Sequence, residues 1–183
     1  GIPGVAAHTF RARGFALVSS QDRSYGAMVE GIDVAAEARV STLAEIIRQG
    51  EYLTSQSADD GMANALIGRI LARNLKVGLG DEITFLGSGR DGSFAAGVVQ
   101  VVGVFNSGST DLDRSLVQMP LGYFQESFAM GDAGHVVAVT AGALSEVPVA
   151  MAQIEELLGG RDGLVVLDWE ALNPGLKQAI QAD

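Results

Sequence analysis

Residues 65–86, ALIGRILARNLKVGLGDEITFL, predict a mixed α+β fold because they join a helix to a strand through a short turn. Apolar side chains recur at helical spacing over 69–75, and a strand pattern begins directly after Asp81. We expect Gly68 and Gly80 to lie at the junctions of these elements, where a residue without a Cβ relieves steric conflict. We expect the Asp81 carboxylate to accept backbone N–H bonds within the turn.

The sequence that follows predicts a hairpin. Strand patterns at 82–86 and 95–105 flank GSGRDGS, in which Asp91-Gly92 is a strong turn signal. The segment GSGRDG also matches the dinucleotide-binding pattern G-x-G-x-x-G, which requires a helix directly after the glycines. A strand pattern follows instead, so we favour a hairpin turn over a nucleotide-binding loop.

Hydrophobic periodicity predicts the remaining elements on both sides of this segment. Towards the N-terminus and in the middle of the chain we expect strands at 6–18, 24–32 and 116–119, a short helix from Ser41 to Gly50, and helical turns at 123–128. In the last third we expect strands at 135–140 and 164–167 and helices at 148–158 and 173–182. The change from a strand-rich middle to a strand–helix–strand series predicts an internal boundary near residues 131–134.

The composition excludes several classes of protein. The chain has 183 residues, a formal net charge of −10 and no cysteine. A disulfide scaffold and a thiolate metal site are therefore excluded, and so strongly acidic a chain repels the phosphates of nucleic acids. Hydrophobic residues make up 48% of the chain, which is enough apolar material for a folded core.

The mean hydropathy is positive, at +0.25, which raises the question of a membrane span. The longest charge-free stretch lies between Asp91 and Asp111, but Gln100 and Asn106 interrupt it and only 98–105 is apolar. A spanning helix needs about 20 mostly apolar residues, so this stretch predicts a buried strand. Because the sequence has neither a signal peptide nor an initiating methionine, we expect a soluble piece of a longer protein.

Residue chemistry alone predicts no active site. His8 and His135 lack metal-ligand spacing, and Asp111 and Asp113 form a D-x-D that we expect to be a solvated loop rather than a calcium loop. No serine lies in a G-x-S-x-G elbow, and the paired carboxylates fall in a predicted loop and on an outer helix face. A binding or interaction domain fits these observations.

Four stretches in order resemble the periplasmic core domain of MacB-like and FtsX-like ABC transporter permeases, a group that includes MacB and the lipoprotein-release permeases LolC and LolE. These stretches are VEGIDVAAEARVSTLAEIIRQGEYL (29–53), ALIGRILARNLKVGLGDEITFL (65–86), VVGVFNSGSTDLDRSLVQMPLGYFQ (101–125) and DWEALNPGLKQAI (168–180). The resemblance covers most of the chain. The short GSGRDGSFAAG loop departs from the elongated hairpin of chaperone-docking members, which weakens a LolC-like assignment.

The resemblance implies two lobes. A porter-like βαβ lobe would comprise residues 1–20 and 131–183, with its N-terminal part incomplete, and a strand-rich Sabre-like lobe would comprise 21–130. The resemblance also implies one membrane helix before Gly1 and three after Asp183. We expect the excised domain to be mainly monomeric, because the membrane helices hold such permease pairs together.

The resemblance further implies a periplasmic, non-catalytic role in transport, without catalytic residues, metal or cofactors. The domain would couple ATP hydrolysis by a cytoplasmic ATPase to export, lipoprotein release or partner-protein work outside the inner membrane. The implied partners are the protein's own transmembrane helices, a second permease subunit, the ATPase, and a periplasmic adaptor, chaperone or lipoprotein, with no nucleic acid. Candidate partner contacts are Arg90 and Asp91 at the hairpin tip, and Asp111 and Asp113 in the neighbouring loop. The alternatives are a stand-alone extracellular binding module and, less favoured, an enzyme.

Overall fold

The structure is a computed structural model that describes residues 2–55 and 62–172. The chain forms two compact units, one of His8–Ala138 and the other of Gly1–Ala7 with Val139–Asp183. These divisions differ in position from the lobe boundaries expected after residues 20 and 130. The assignment of a porter-like and a Sabre-like lobe stays a prediction.

The described residues contain eight strands and six α-helices, and the expected α+β class is confirmed. The strands are β1 (Val5–Ser19), β2 (Ser24–Ile32), β3 (Ile47–Gly50), β4 (Ala63–Gly68), β5 (Glu82–Ser88), β6 (Phe94–Phe105), β7 (Leu116–Pro120) and β8 (Val136–Ala141). The helices are α1 (Val34–Val40), α2 (Arg69–Leu75), α3 (Thr110–Ser115), α4 (Leu121–Ser127), α5 (Val147–Leu158) and α6 (Trp169–Leu172), with short 3-10 turns at Leu43–Ile46 and Leu144–Glu146.

Six strands of the larger unit form a closed ring. Their order is β2-β7-β4-β6-β5-β1, and β1 also pairs with β2, which closes the ring into a barrel. The pairs β2–β7 and β4–β6 are parallel, and the other four are antiparallel. β3 pairs with β6 and β8 pairs with β1 outside the ring. Closure leaves no free edge along the paired segments of the six strands.

Alternation along the strands fills the barrel with small and branched side chains. On β1, Ala12, Ala16 and Val18 are buried, whereas Phe15 and Leu17 between them are exposed. Aromatic side chains from α4 complete this core. The rings of Phe124 and Phe128 stack with centroids 4.2 Å apart, and Phe85 stacks on Phe128 at 5.7 Å. The main core is built from these β1 residues together with Val29, Ile67, Leu71, Leu75, Ile83, Val99, Val101, Val117 and Met119.

A second, smaller core lies where α1, the 3-10 turn and β3 pack near the ends of β2, β4 and β6. It consists of Ile32, Leu43, Leu53, Leu66 and Phe105. Every residue of β4 is buried, and its only polar side chain, Asn64, donates to the Thr54 hydroxyl at 3.0 Å. The two cores therefore lie on either side of β4, where Ile67 belongs to the first and Leu66 to the second.

The junctions around α2 match the sequence-based expectation. A Cβ at Gly68 would lie 2.4 Å from the Asp113 carbonyl oxygen, so only glycine allows α3 to approach this closely. Gly80 has open space around it but a φ of +83°, a left-handed conformation that favours glycine. Gly78 donates its backbone N–H to Asp81 Oδ2 at 2.8 Å, which confirms the expected turn.

Two predicted elements are wrong. The helix expected from Ser41 to Gly50 is instead a 3-10 turn followed by β3, because the backbone of 47–50 pairs with β6. The helix of this region lies earlier, in α1, where Asp33 Oδ1 caps the first turn by accepting the Ala36 N–H. Residues 164–167 were expected to form a buried strand, but they form no regular structure, and three of the four are exposed. The final helix expected at 173–182 lies outside the described residues.

The smaller unit contains α5, and its start and end agree with the predicted helix to one residue. Pro148 lies in the first turn, where a missing N–H is tolerated. Gly159 ends the helix in a left-handed conformation, and its N–H bonds the carbonyls of Glu155 and Glu156. Within this unit Thr140 donates its hydroxyl to the Ala7 carbonyl at 3.4 Å.

Candidate functional site

The hairpin tip between β5 and β6 presents two of the predicted contact residues. Arg90 and Asp91 are both exposed, and Asp91 Oδ1 accepts the Ser93 N–H at 2.9 Å. Hydrogen bonds from Ser93 lower the pKa of the Asp91 carboxyl, so this turn keeps its negative charge in mildly acidic solution. A strand follows the glycines, which confirms the hairpin and removes the helix that a nucleotide-binding loop would need.

Asp111 and Asp113 lie on α3 rather than in a solvated loop, so that expectation is wrong. Asp111 is exposed, but Asp113 is buried. Ser107 donates its backbone N–H and its hydroxyl to Asp113 Oδ1, at 2.8 and 2.7 Å. The Asp113 carboxylate thus fixes the turn before α3 and is not free to contact a partner.

The structure does not bring the four predicted contact residues together. The hairpin tip precedes β6 and α3 follows it. A strand rises about 3.3 Å per residue, so the length of β6 separates the two positions by roughly 35 Å. Arg90 and Asp91 form one candidate surface, and Asp111 belongs to another.

A buried polar network joins β1 to its neighbours, and the sequence patterns gave no indication of it. Arg11 forms a bidentate ion pair with the buried Glu37 of α1. Arg13 donates to Glu30 Oε1 at 2.6 Å, and Gln118 of β7 donates to the other oxygen of Glu30, also at 2.6 Å. Two buried carboxylates are thus each held by an arginine.

The charges of this network shift two pKa values. Burial alone would lower the pKa of Arg11, but the hydrogen bonds and charge of Glu37 raise it above its ordinary value. Burial, reinforced by the charge of Glu37, raises the pKa of Tyr52 to about 12. Both residues therefore keep their ordinary protonation states at neutral pH, and the network has the properties of a structural element.

One side of the barrel exposes a continuous apolar surface, which we name the bare face. It consists of the outward-pointing side chains Phe15, Leu17, Leu86, Phe94, Ala96 and Val98. Leu17 lies directly opposite Leu86, which lies opposite Ala96, so the residues of β1, β5 and β6 form rows on one surface. The sequence signal was apolar residues at consecutive positions, as in FALV at 15–18, which predict burial on both sides of a strand.

The described residues contain no cluster of three or more His, Cys, Asp or Glu side chains placed to hold a metal ion. His135 Nδ1 accepts the Arg13 N–H at 2.9 Å, so this imidazole is engaged with the backbone of β1. A cavity of about 190 Å³ beside α4 includes Glu126 and Tyr123 in its lining, and the Tyr123 hydroxyl donates to the Val98 carbonyl. Among the described residues, the polar side chains that line this cavity are one carboxylate, Glu126, and the hydroxyls of Ser55 and Tyr123.

Comparison with known proteins assigns the family. The profile of the MacB-like periplasmic core domain matches residues 1–157. The chain belongs to this family. No curated protein sequence matches it. The MacB-like domain is thus the periplasmic or extracellular domain of an ABC-type transporter permease, on the outer side of the membrane.

A solved structure shares the fold of this MacB-like domain. The extracellular domain of the noncanonic ABC-type transporter YknZ from Gram-positive bacteria is 19% identical, with a TM-score of 0.64 over 92% of this chain and 84% of that one. A domain of a permease protein from Porphyromonas gingivalis is 18% identical, with a TM-score of 0.48 over 88% and 73%. Within residues 2–55 and 62–172, no helix of the MacB-like domain is long and apolar enough to cross a membrane.

Proposed function

We propose that this MacB-like domain couples ATP hydrolysis on a cytoplasmic ATPase to export, lipoprotein release or partner-protein work outside the inner membrane. The observation that carries the proposal is the family match over residues 1–157. The motion would reach the domain through the permease's own membrane helices. This assignment is favoured over a stand-alone binding module because the family is defined by its place in such permeases.

We further propose that the domain acts by contact and not by catalysis. Its buried carboxylates are committed to the fold, since Glu30 and Glu37 are each paired with an arginine and Asp113 accepts two hydrogen bonds from Ser107. The exposed carboxylates in the described part of the chain do not converge with a histidine or another acid on one metal-binding cluster. Catalysis of hydrolysis belongs, in this proposal, to the ATPase.

The proposed contact surface for a periplasmic adaptor, chaperone or lipoprotein is the hairpin tip. Arg90 and Asp91 are exposed there on a short, well-bonded turn. Arg90 donates its backbone N–H to the Phe128 carbonyl at 2.9 Å, which anchors the tip to the segment after α4. A partner would therefore meet a preformed surface that offers one positive and one negative side chain.

The test uses the full-length permease with its ATPase in membranes. In one variant a flexible glycine-serine linker replaces residues 2–172. We expect the variant to keep basal ATP hydrolysis but to lose the envelope proteins that the intact permease recovers in a pull-down. Recovery of the same proteins by the deletion variant would contradict the proposal. ATP hydrolysis by the isolated chain would contradict the assignment of catalysis to the ATPase.

A further inference from the structure

The bare face is unusual because no charged residue lies within it. Phe15 is 75% exposed and Phe94 is 88% exposed, although both lie in regular strands. Between them and beside them the outward positions carry uncharged side chains, namely Ser19, Thr84, Ser88 and Ala96. The nearest charged side chains on these strands, Arg13 and Glu82, lie beyond the two ends of the bare face, so a chain with a net charge of −10 has an uncharged patch in the middle of this surface.

The area of the bare face matches one side of a protein–protein interface. A phenylalanine side chain presents about 200 Å², and leucine and valine somewhat less, so the five large side chains expose roughly 500 Å² of apolar surface. The largest apolar patch of a typical monomer is about 300–600 Å². One side of a standard interface buries about 800 Å², of which a little over half is apolar. The exposed apolar area of the bare face therefore equals about the apolar area that one partner buries in a standard interface.

We propose that the bare face is where two copies of this chain meet. The arrangement of its rows carries the inference. The middle row is Leu17–Leu86–Ala96 and the last row is Ser19–Thr84–Val98, while the other end carries the Ser88–Phe94 pair and Phe15, two residues before Leu17 on β1. The two phenylalanines thus occupy one end of the face, and the smaller side chains of Ser19, Thr84 and Val98 occupy the other.

A two-fold axis along the middle row makes these ends complementary. Rotation about this axis places the phenylalanines of one copy over Ser19 and Val98 of the other, and Leu86 over Leu86. The phenylalanines then meet smaller side chains, and the leucines of the middle row meet each other, which suits two sheets packed about 10 Å apart. An isologous contact needs this self-complementarity, since the same patch serves both subunits.

The net charge of each copy weakens the contact and makes its strength depend on the salt concentration. Each copy carries −10, so the two copies repel each other at long range while the bare face itself is neutral. Salt screens the repulsion and leaves apolar burial in place, so added salt tightens this dimer. A contact with a basic partner would instead weaken with salt.

The contact is weak in free solution and effective in the permease. In a permease dimer the membrane helices hold two copies of the domain close together, so each copy meets the other at an effective concentration near the millimolar range. A dissociation constant of roughly 100 μM is then enough for pairing in the membrane, while the excised chain is monomeric at a few micromolar. Pairing of two copies within the membrane-bound permease rests on the proposed function, whereas self-association of the isolated chain does not.

The test measures the sedimentation of the 183-residue chain from 5 μM to 1 mM at low and high salt. We expect a monomer at the lowest concentration, a dimer at the highest, and a several-fold smaller dissociation constant at high salt. Leu86→Glu places two like charges face to face and should weaken the dimer at least tenfold. Leu112→Glu is the matched control, because Leu112 and Leu86 are both 49% exposed and Leu112 lies on α3.

Cross-linking locates the axis. The chain has no cysteine, so a single Leu86→Cys reports one position. Because the two sheets lie about 10 Å apart, too far for a direct disulfide, a bismaleimide linker of about that span should join two Leu86→Cys chains into a covalent dimer and should join Leu112→Cys chains much less. A wild-type monomer at 1 mM, or equal weakening by both glutamate variants, overturns the proposal. Cross-linking of Leu86→Cys in the full-length permease to a different envelope protein also overturns it, in favour of a heterologous partner. None of these outcomes depends on ATP hydrolysis, so the proposed function can stand if this inference fails.

Discussion

At the scale of single residues, Gly31 of β2 shows how closely α4 approaches the barrel. A Cβ built on Gly31 would lie 2.5 Å from the Cβ of Phe124 and 3.2 Å from the Leu121 Cα. Phe124 is fully buried and stacked on Phe128, so it has no room to withdraw. Glycine at this position is therefore a packing requirement.

The substitution Gly31→Ala should destabilise the fold by about 1–3 kcal/mol, because it overpacks a core that is already filled. The matched control is Gly26→Ala in the same strand, where the added Cβ has nothing within 4 Å. We expect the control to change the free energy of unfolding by less than about 0.5 kcal/mol. Urea unfolding of the three proteins measures both values, and equal destabilisation would disprove the packing account.

A second residue-scale prediction concerns Tyr52 and alkaline pH. Its pKa is raised from about 10 in the unfolded chain to about 12 in the folded one, so the unfolded state loses this proton first. The stability contributed by the neutral phenol is complete below pH 10 and is lost as pH rises towards 12. The hydroxyl has no hydrogen-bond partner among the described residues, so Tyr52→Phe should be nearly neutral at pH 7.

The measurement is the free energy of unfolding of wild type and Tyr52→Phe at intervals between pH 8 and pH 11. Above pH 10 the free energy of unfolding of the wild type should fall relative to that of Tyr52→Phe. A constant difference over the whole range would show that Tyr52 titrates alike in the folded and unfolded chains.

At the scale of elements, α3 depends on one of its two aspartates. Asp113 is buried and accepts two hydrogen bonds from Ser107, whereas Asp111 is exposed two residues away. Asp113→Ala removes the acceptor of the Ser107 N–H and the shorter of the two hydroxyl bonds of Ser107, and should cost about 2–3 kcal/mol. Asp111→Ala on the same helix should cost less than about 0.5 kcal/mol. Thermal unfolding of the two variants decides this, and a reversed order would refute the assigned roles.

Elements defined by local signals were predictable from the sequence. The α2 helix has helical spacing with glycine before it, and the β5–β6 hairpin has Asp91-Gly92 at its turn, so both signals lie within the element itself. The short α1 was missed because VAAEARV has little apolar period and its capping residue, Asp33, lies in an unremarkable position. The exposed run at 164–167 was misassigned because apolar composition predicts burial, and no strand among the described residues pairs with it.

The candidate surfaces were only partly predictable. The hairpin tip followed from its turn signal, since a turn of this kind projects from a sheet. Burial of Asp113 did not follow, because it depends on the approach of Ser107 and not on the D-x-D pattern. The exposure of the bare face was not predictable either, because its FALV and ITFL runs have the continuous apolar pattern of a strand that is buried on both faces.

At the scale of the whole molecule, closure of the barrel depends on pairs far apart in sequence. Val18 pairs with Phe85, and Val29 pairs with Val117. No local pattern specifies such partners, so periodicity gave the strands without their order. The resemblance to MacB-like domains supplied the family, and the profile match over residues 1–157 confirms it.

The central claim is that this domain responds to ATP hydrolysis on the other side of the membrane. The most direct measurement is energy transfer from a dye on Asp111→Cys to acceptor lipids, in the full-length permease reconstituted with its ATPase. Asp111 is exposed and this chain has no cysteine, so once the cysteines of the permease and ATPase outside it are replaced by serine, the label reports the domain alone. We predict different transfer efficiencies in the nucleotide-free and ATP-trapped states. Identical efficiencies in the two states would contradict coupling through this domain.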